Sequence, residues 1–504
     1  MCQMKSSLYV IIIYFLMYMP YVYMQNISTF RIGKDIAAEF YILIIKIFVV
    51  ILSGILATFV IPSKILFAFS IAVLSISLLI FEIGEFNENL QKLKSISMAN
   101  LVLNSIFFGI FRLICQILIY HQKTLNENLE NSDVNSGNVK REICIWLVIL
   151  NVTEVIVLAA MPLPTDNNPN LSIVCILSVT LGIILIITGK YYNFYKFDSE
   201  IGDIFQLIRN LKKPKGRFFS VDLQGKQFLI DLSKTIIVLF LLIPYSACDV
   251  QNKYGYVYQW LHMKWPNSTL YISDRISSIP KIINGLSTIL FAVFYIILTE
   301  NNVTYLKAFF RNMKWNIIVG ILIMILATLI SGVIETFRLE IFWNWNSKSL
   351  VPSPDAINQT SGTETYRAAN LTAFVMVLPI VLNALSEVLV SVSCLDFLFR
   401  QSIKYLSISM YLGVIGHGAF GELFSLIIYN TSYMFDSKHL NKRVPKSATG
   451  GCCKEQSRLD CFYYVLGLLA FLCLLIDAFI MRKLWNRFKN NNEVGNGENL
   501  PDVN

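Results

Sequence analysis

Apolar residues along the chain gather into runs long enough to cross a lipid hydrocarbon layer, with short polar stretches between them. The runs fall at 8–25, 36–60, 64–86, 98–120, 143–164 and 172–190, and after a break at 228–248, 280–299, 314–337, 370–399, 403–430 and 460–482. A helix needs about 20 apolar residues to span the hydrocarbon. A soluble helix would instead space them at amphipathic intervals. The pattern predicts an all-α polytopic membrane protein with twelve transmembrane helices, grouped six plus six. The first run follows a single Lys5 and has no small-residue cleavage site after it. It therefore reads as a membrane helix rather than a removed signal peptide.

The break between the two groups, 191–227, holds Lys196, Arg209, Lys212, Lys213, Lys215, Arg217 and Lys226. Within it Ile201, Ile204, Phe205, Ile208 and Leu211 recur at helical spacing with charges between them. That spacing predicts a short amphipathic helix on the cytoplasmic surface, linking two bundles. The expected domains are a six-helix bundle over 1–190, the linker 191–227, a second bundle over 228–490, and a disordered cytoplasmic tail over 491–504.

Composition sharpens this picture. Hydrophobic residues make up 55% of the chain and charged ones 15%, against roughly a quarter charged in soluble domains. The net charge of +9 is carried by loops, so it points to membrane topology and away from nucleic acid. With both termini inside, the basic linker is cytoplasmic, although the basic segment 431–459 then lies outside. Of eight N-x-S/T sequons, Asn26, Asn170, Asn267, Asn358, Asn370 and Asn430 fall in or beside expected outer loops. Asn151, inside a span, and Asn302, in an inner loop, do not. The ten cysteines include no C-x-x-C pair, and Cys452, Cys453 and Cys461 are disulfide candidates if their loop faces outward.

Two six-helix bundles around a midplane cavity are the plan of the major facilitator superfamily. The tenth run carries the most specific motif, Ser386-Glu387-Val-Leu-Val-Ser-Val-Ser-Cys-Leu395-Asp396-Phe397. It resembles the tenth-helix signature of the proton-dependent oligopeptide transporter family, G-E-V-L-F-S-V-T-G-L-E-F, with Glu387 and Asp396 on its two acids. Weaker matches follow the same order. Leu52 to Ala57 with Lys64 is similar to G-G-W-L-A-D-R, and Gly109-Ile-Phe-Arg112 with Gln122 to G-G-I-K…D-Q. Asn151 falls in an I-N-x-G-like stretch, Asp231 to Thr235 with Pro244 resembles the opening of helix seven, and Asn284 falls in a V-N-S-L-like stretch. The family's first-helix motif E-x-x-E-R-F has no counterpart: positions 2–9 read Cys-Gln-Met-Lys-Ser-Ser-Leu-Tyr. Thr58 and Phe59 replace the Asp-Arg pair between helices two and three, and the helix-four Lys is Arg112.

The residues carry their own argument. A charge at mid-bilayer costs about 2.5–3.5 kcal/mol on insertion scales, so it is expected to face the protein interior. Glu387 shares a polar stripe with Pro379, Asn383, Ser386 and Ser391, which suits a solute amine or a proton, or an interbundle hydrogen bond. Arg112 in the fourth run can clamp a carboxylate with two parallel hydrogen bonds. Together the two charges suit a zwitterion, a salt-bridge gate, or a purely structural pairing. Glu387, Arg112, Asn151, Asn284 and Ser391 are the candidate binding or proton-coupling residues, and Lys46, Glu154 and Asp396 the candidate gating residues. His417 reads as a packed side chain between glycines. Trp260, Trp265, Trp315 and Trp343 read as an interfacial belt.

No H-E-x-x-H, Walker loop or G-x-S-x-G appears, so neither an enzyme, a cofactor nor a metal is expected. The expectation is a secondary active transporter in the plasma membrane, moving short peptides by alternating access, with a proton as candidate co-substrate. A non-transporting sensor or scaffold, and a carrier of amino acids, nitrate, nucleosides or other small solutes, remain alternatives.

Overall fold

A computed structural model describes residues 12–24, 63–86, parts of 99–111, 132–160, 169–188, 242–252, 255–265, 278–300, 312–342, 356–361, 364–401, parts of 420–428, and 459–476. The linker 191–227, the tail 491–504 and the second run 36–60 lie outside the described residues.

The described helices are α1 (Ile12–Met24), α2 (Ser63–Phe86), α3 (Ser132–Ala160), α4 (Pro169–Thr188), α5 (Ile243–Asp249), α6 (Gly255–Leu261), α7 (Ile279–Glu300), α8 (Met313–Phe342), α9 (Val377–Gln401) and α10 (Leu459–Ile476). Proline marks several of their starts: Pro169 is the first residue of α4, Pro244 the second of α5, Pro280 the second of α7 and Pro379 the third of α9. In the first turn a backbone N–H has no intrahelical acceptor, so proline loses nothing there and its fixed φ favours the helix. Among the described residues, five helical stretches are long and apolar enough to cross a membrane: Lys140–Ala159, Ile279–Thr299, Trp315–Phe342, Ala373–Asp396 and Leu459–Ile476. Their apolar side chains turn outward where lipid would lie, as Leu290, Phe294, Phe337, Leu468 and Leu475 do. The chain is an integral membrane protein.

Several boundaries differ from the sequence reading. The fifth helix begins at Ser132, well before the apolar run at 143. Polar residues of its first turns are tolerated because they lie beyond the hydrocarbon, apart from Lys140, which is buried. The seventh element does not stop at 248. Its α5 runs to Asp249, a 3-10 turn over Val250–Asn252 follows, and α6 begins at Gly255. The tenth helix starts at Val377 rather than 370, because Glu364–Thr372 form a strand.

That strand belongs to a small sheet that the all-helical expectation did not include. Its strands β1 (Met263–Lys264), β2 (Ile357–Ser361) and β3 (Glu364–Thr372) lie in the order β1-β3-β2. The pair β2–β3 is antiparallel, from Ile357 opposite Ala368 to Ser361 opposite Glu364, and β1 runs parallel to β3. Leu339 and Phe342 of α8 pack under Ala369, seating the sheet on the end of that helix.

Buried apolar residues form two main clusters. One gathers Ile13, Tyr14 and Met17 of α1, Leu74 and Leu78 of α2, Phe107, Phe111 and Cys175. The other gathers α5 to α10, through residues such as Tyr245, Met324, Ile380, Val390 and Tyr463. Helix α3 belongs to both: Trp146 and Val157 face the first cluster, while Ile143, Cys144 and Leu147 face the second. It is the seam between the two clusters.

Candidate functional site

Glu387 sits half-buried on α9, inside the apolar stretch Ala373–Asp396. Thr288 of α7, itself fully buried, donates its hydroxyl to Glu387 Oε2 at 3.3 Å. The next residue back, Ser386, donates to the Gly320 carbonyl of α8 at 2.6 Å. Helices α8 and α9 come this close because Gly320 has no side chain; a Cβ there would stand 2.6 Å from Val390 Cγ2 and 3.2 Å from Leu389 Cβ. From α5, the buried Tyr245 brings its hydroxyl beside Ser386 and into the electrostatic field of both Glu387 and Asp249. The carboxylate is thus held among α5, α7 and α9, with Ser391, half-buried, one turn further along its own helix.

Asn284 lies one turn before Thr288 on α7 and is half-buried. Between them, Gly285 faces α3, where a Cβ would meet Val155 Cγ2 at 2.7 Å and Asn151 Oδ1 at 3.7 Å. Asn151 is buried at this contact and satisfies its amide N–H on its own helix, donating to the Leu147 carbonyl at 2.9 Å. The structure therefore brings Glu387, Asn284 and Asn151 onto adjoining helices around α7. Glu154 is half-buried on α3, next to Val155. Arg112, Lys46 and His417 lie outside the described residues, as do Cys452, Cys453, Gln122 and Trp343.

Asp396 takes a different place. It is buried near the far end of α9, and its Oδ2 stands 3.8 Å from Lys140 Nζ of α3, with both side chains almost fully enclosed. Tyr295 of α7 lies close to Asp396 and Cys144, and its hydroxyl accepts a hydrogen bond from Asn316 Nδ2 of α8 at 3.2 Å. Polar side chains of four helices therefore meet at this end of the seam. Sequence reading missed Lys140 because it stands three residues before the apolar run and looks like a loop charge.

A second buried charge pair was also missed. Arg338 Nε and Nη2 donate to Glu335 Oε2 and Oε1 at 2.8 and 2.7 Å, and Gln259 Nε2 of α6 donates to the same carboxylate at 3.0 Å. Glu335 and Arg338 are fully buried. Their i, i+3 spacing with opposite charge is the signal that was available; it straddled the expected end of the ninth run at 337, where charges read as interfacial. Trp260 is corrected for a related reason. It is buried in the second cluster rather than placed in an interfacial belt, and its carbonyl accepts from Trp265 Nε1 at 2.8 Å. Trp315, at the start of α8, is exposed.

Helix α1 contributes a run of tyrosines to the first cluster. Tyr14 stacks on Tyr18 and Phe111 at 5.3 and 5.5 Å and lies 4.0 Å from the Trp146 ring. Tyr18 in turn stacks on Tyr21 at 5.5 Å.

No protein-family model matches the chain. Solved structures do resemble it over nearly its whole length. An auto-inhibited POT family peptide transporter aligns with a TM-score of 0.63 at 14% identity, covering 95% of this chain and 97% of its own. The POT family transporter PepTSo gives 0.61 at 14% identity, covering 93% and 97%. A mutant of the nucleoside transporter NupG gives 0.50 at 12% identity, covering 94% and 98%. At such identities the likeness is one of fold, and that fold is the helical major facilitator architecture.

Proposed function

We propose that the protein is a secondary carrier of short peptides or related zwitterionic solutes, working by alternating access. The observation that carries this reading is the carboxylate of Glu387, kept half-buried within a membrane-length helix by Thr288 and neighboured by Tyr245. An ionisable group at that depth is costly and is retained where it binds a solute, an ion or a proton. The likeness in fold to peptide transporters supports the solute class.

In this reading the halves 1–190 and 228–490 are the rocking bundles, joined by the linker 191–227. Glu387 takes the solute amine or a proton, Arg112 takes the solute carboxylate, and Asn284, Ser391 and Asn151 line the path between. Lys140 and Asp396 latch the two halves at one end, and separating them opens that end. With no E-x-x-E-R motif in the first helix, Glu387 is the carboxylate that would couple transport to protons.

The test is uptake of labelled dipeptides into proteoliposomes, with and without an imposed pH gradient. Uptake is expected in the wild type and a loss of about tenfold or more, ~1.4 kcal/mol, in Glu387→Gln. Uptake unchanged in Glu387→Gln and Arg112→Ala removes both residues from the mechanism.

A second reading, a family-like fold that senses or scaffolds instead of transporting, is favoured by the missing first-helix E-x-x-E-R-F motif, and is consistent with the aromatic packing of Tyr14 against Tyr18, Phe111 and Trp146. Absence of counterflow for peptides, amino acids and nucleosides alike would select it.

A further inference from the structure

The three-stranded sheet takes no part in the Glu387 site, and its position bears on what meets it. It sits at the start of α9, whereas Asp396 and Lys140 lie towards the other end of that helix. Helix α8 runs from the Asp396 end, where Asn316 meets Tyr295, to the sheet, where Leu339 and Phe342 pack under Ala369. Helix α10 runs back against it, since Gly332 lies beside Tyr464 and Leu329 beside Gly467. Chain leaving the Asp396 end after α7, α9 and α10 carries Lys307, Arg311, Lys404, Arg482, Lys483, Arg487 and Lys489. The excess of basic residues marks that end as cytoplasmic. The basic segment 431–459 enters at the sheet end, so charge alone is divided, and the sequons on the sheet supply the second argument.

The strand β2 contains Asn358-Gln359-Thr360, an N-x-T acceptor sequence. Gln359 turns towards the protein: its Nε2 donates to the carbonyls of Leu261 and Met263 at 3.3 and 2.5 Å, and its Oε1 accepts from the Trp265 N–H at 3.3 Å. Successive strand residues point to opposite faces, so Asn358 faces away, and it is exposed. Its strand is also an edge of the sheet. An exposed edge is a template for unwanted pairing, which proteins cover or block. The second sequon on the sheet, at Asn370, is exposed too, but its Oδ1 already accepts from Lys264 Nζ at 3.0 Å.

We propose that Asn358 is an N-glycosylation acceptor on the outer face of the protein and that its glycan shields the β2 edge. The donor is a lipid-pyrophosphate-linked oligosaccharide. The amide nitrogen of Asn358 bonds to the anomeric carbon of the first sugar, the bond from that carbon to the pyrophosphate oxygen breaks, the lipid pyrophosphate departs, and the amide proton passes to a base of the transferase.

The experiment expresses the full chain in a eukaryotic cell and compares gel mobility before and after peptide N-glycosidase. The wild type is expected to shift down on digestion. Untreated Asn358→Gln and Thr360→Ala are expected to run one step below untreated wild type, while Thr360→Ser keeps the wild-type mobility. Thr360→Ala and Thr360→Ser differ by a single hydroxyl, which keeps the comparison sound if Asn358→Gln folds poorly. Equal mobility of Thr360→Ala and Thr360→Ser, or of Asn358→Gln and wild type, overturns the proposal. The outcome is independent of whether the protein transports anything.

Discussion

Lys140 and Asp396 oppose each other at 3.8 Å across the seam between α3 and α9, both enclosed by protein. Removing one partner leaves a buried charge uncompensated, which costs about 3–5 kcal/mol. Removing both costs less. Lys140→Ala and Asp396→Asn should therefore each lower the unfolding temperature of the purified protein in detergent more than the double variant Lys140→Ala/Asp396→Asn does. Independent, additive losses in the double variant would show that the pair is not coupled.

The Glu335–Arg338–Gln259 cluster ties α8 to α6. Arg338→Ala strands a carboxylate that no water reaches and is expected to destabilise by about 3–5 kcal/mol. Gln259→Ala removes the hydrogen bond to the Glu335 carboxylate, worth about 1.5–3 kcal/mol, and a weaker one to the Ser331 carbonyl, while leaving the ion pair intact. Thermal melts that rank Arg338→Ala no worse than Gln259→Ala would contradict the burial of this pair.

Close approach at Gly285 and Gly320 makes both positions intolerant of bulk. A Cβ would already stand 2.7 Å from Val155 at the first and 2.6 Å from Val390 at the second. Gly320→Val wedges α8 from α9 within one half and is expected to cost about 1–3 kcal/mol of stability. Gly285→Val acts at the contact between α3 and α7, so if the protein transports as proposed it should also reduce uptake. Uptake and melting temperature at wild-type levels in Gly285→Val would rule out that contact.

Thr288→Val removes the hydroxyl that Glu387 accepts at 3.3 Å while keeping the side-chain volume. If Glu387 takes part in transport, the variant should shift the pH at which uptake is half-maximal, with little change in melting temperature. A loss of stability with an unchanged pH profile would assign the threonine to packing alone.

How much of this was written in the sequence depends on scale. Membrane-length apolar runs are a one-dimensional signal, so α7, α8, α9 and α10 were legible to within a few residues at most ends. Glu387, expected to face the protein interior because a charge at that depth is costly, is half-buried against Thr288. Lys140 and the Glu335–Arg338 pair escaped because a charge near the end of a run reads as interfacial until tertiary packing encloses it. The sheet escaped for another reason. Its strand β1 is two residues long and separated from the β2–β3 hairpin by the whole of α7 and α8, so the pairing of Met263 with Ala369 has no local signature.

That pairing has a mechanical consequence. By lacing the loop after α6 to the approach of α9, with the hairpin β2–β3 resting on the tip of α8, the sheet clamps three helix ends together. Spreading those tips would require tearing backbone hydrogen bonds, so this end of the second cluster is braced as a stiff plate. The contacts of α3 with α7 and α9 have no such backbone lacing among the described residues and rest on side-chain packing at Gly285 and around Ile143, Cys144 and Leu147, and on the Lys140–Asp396 ion pair.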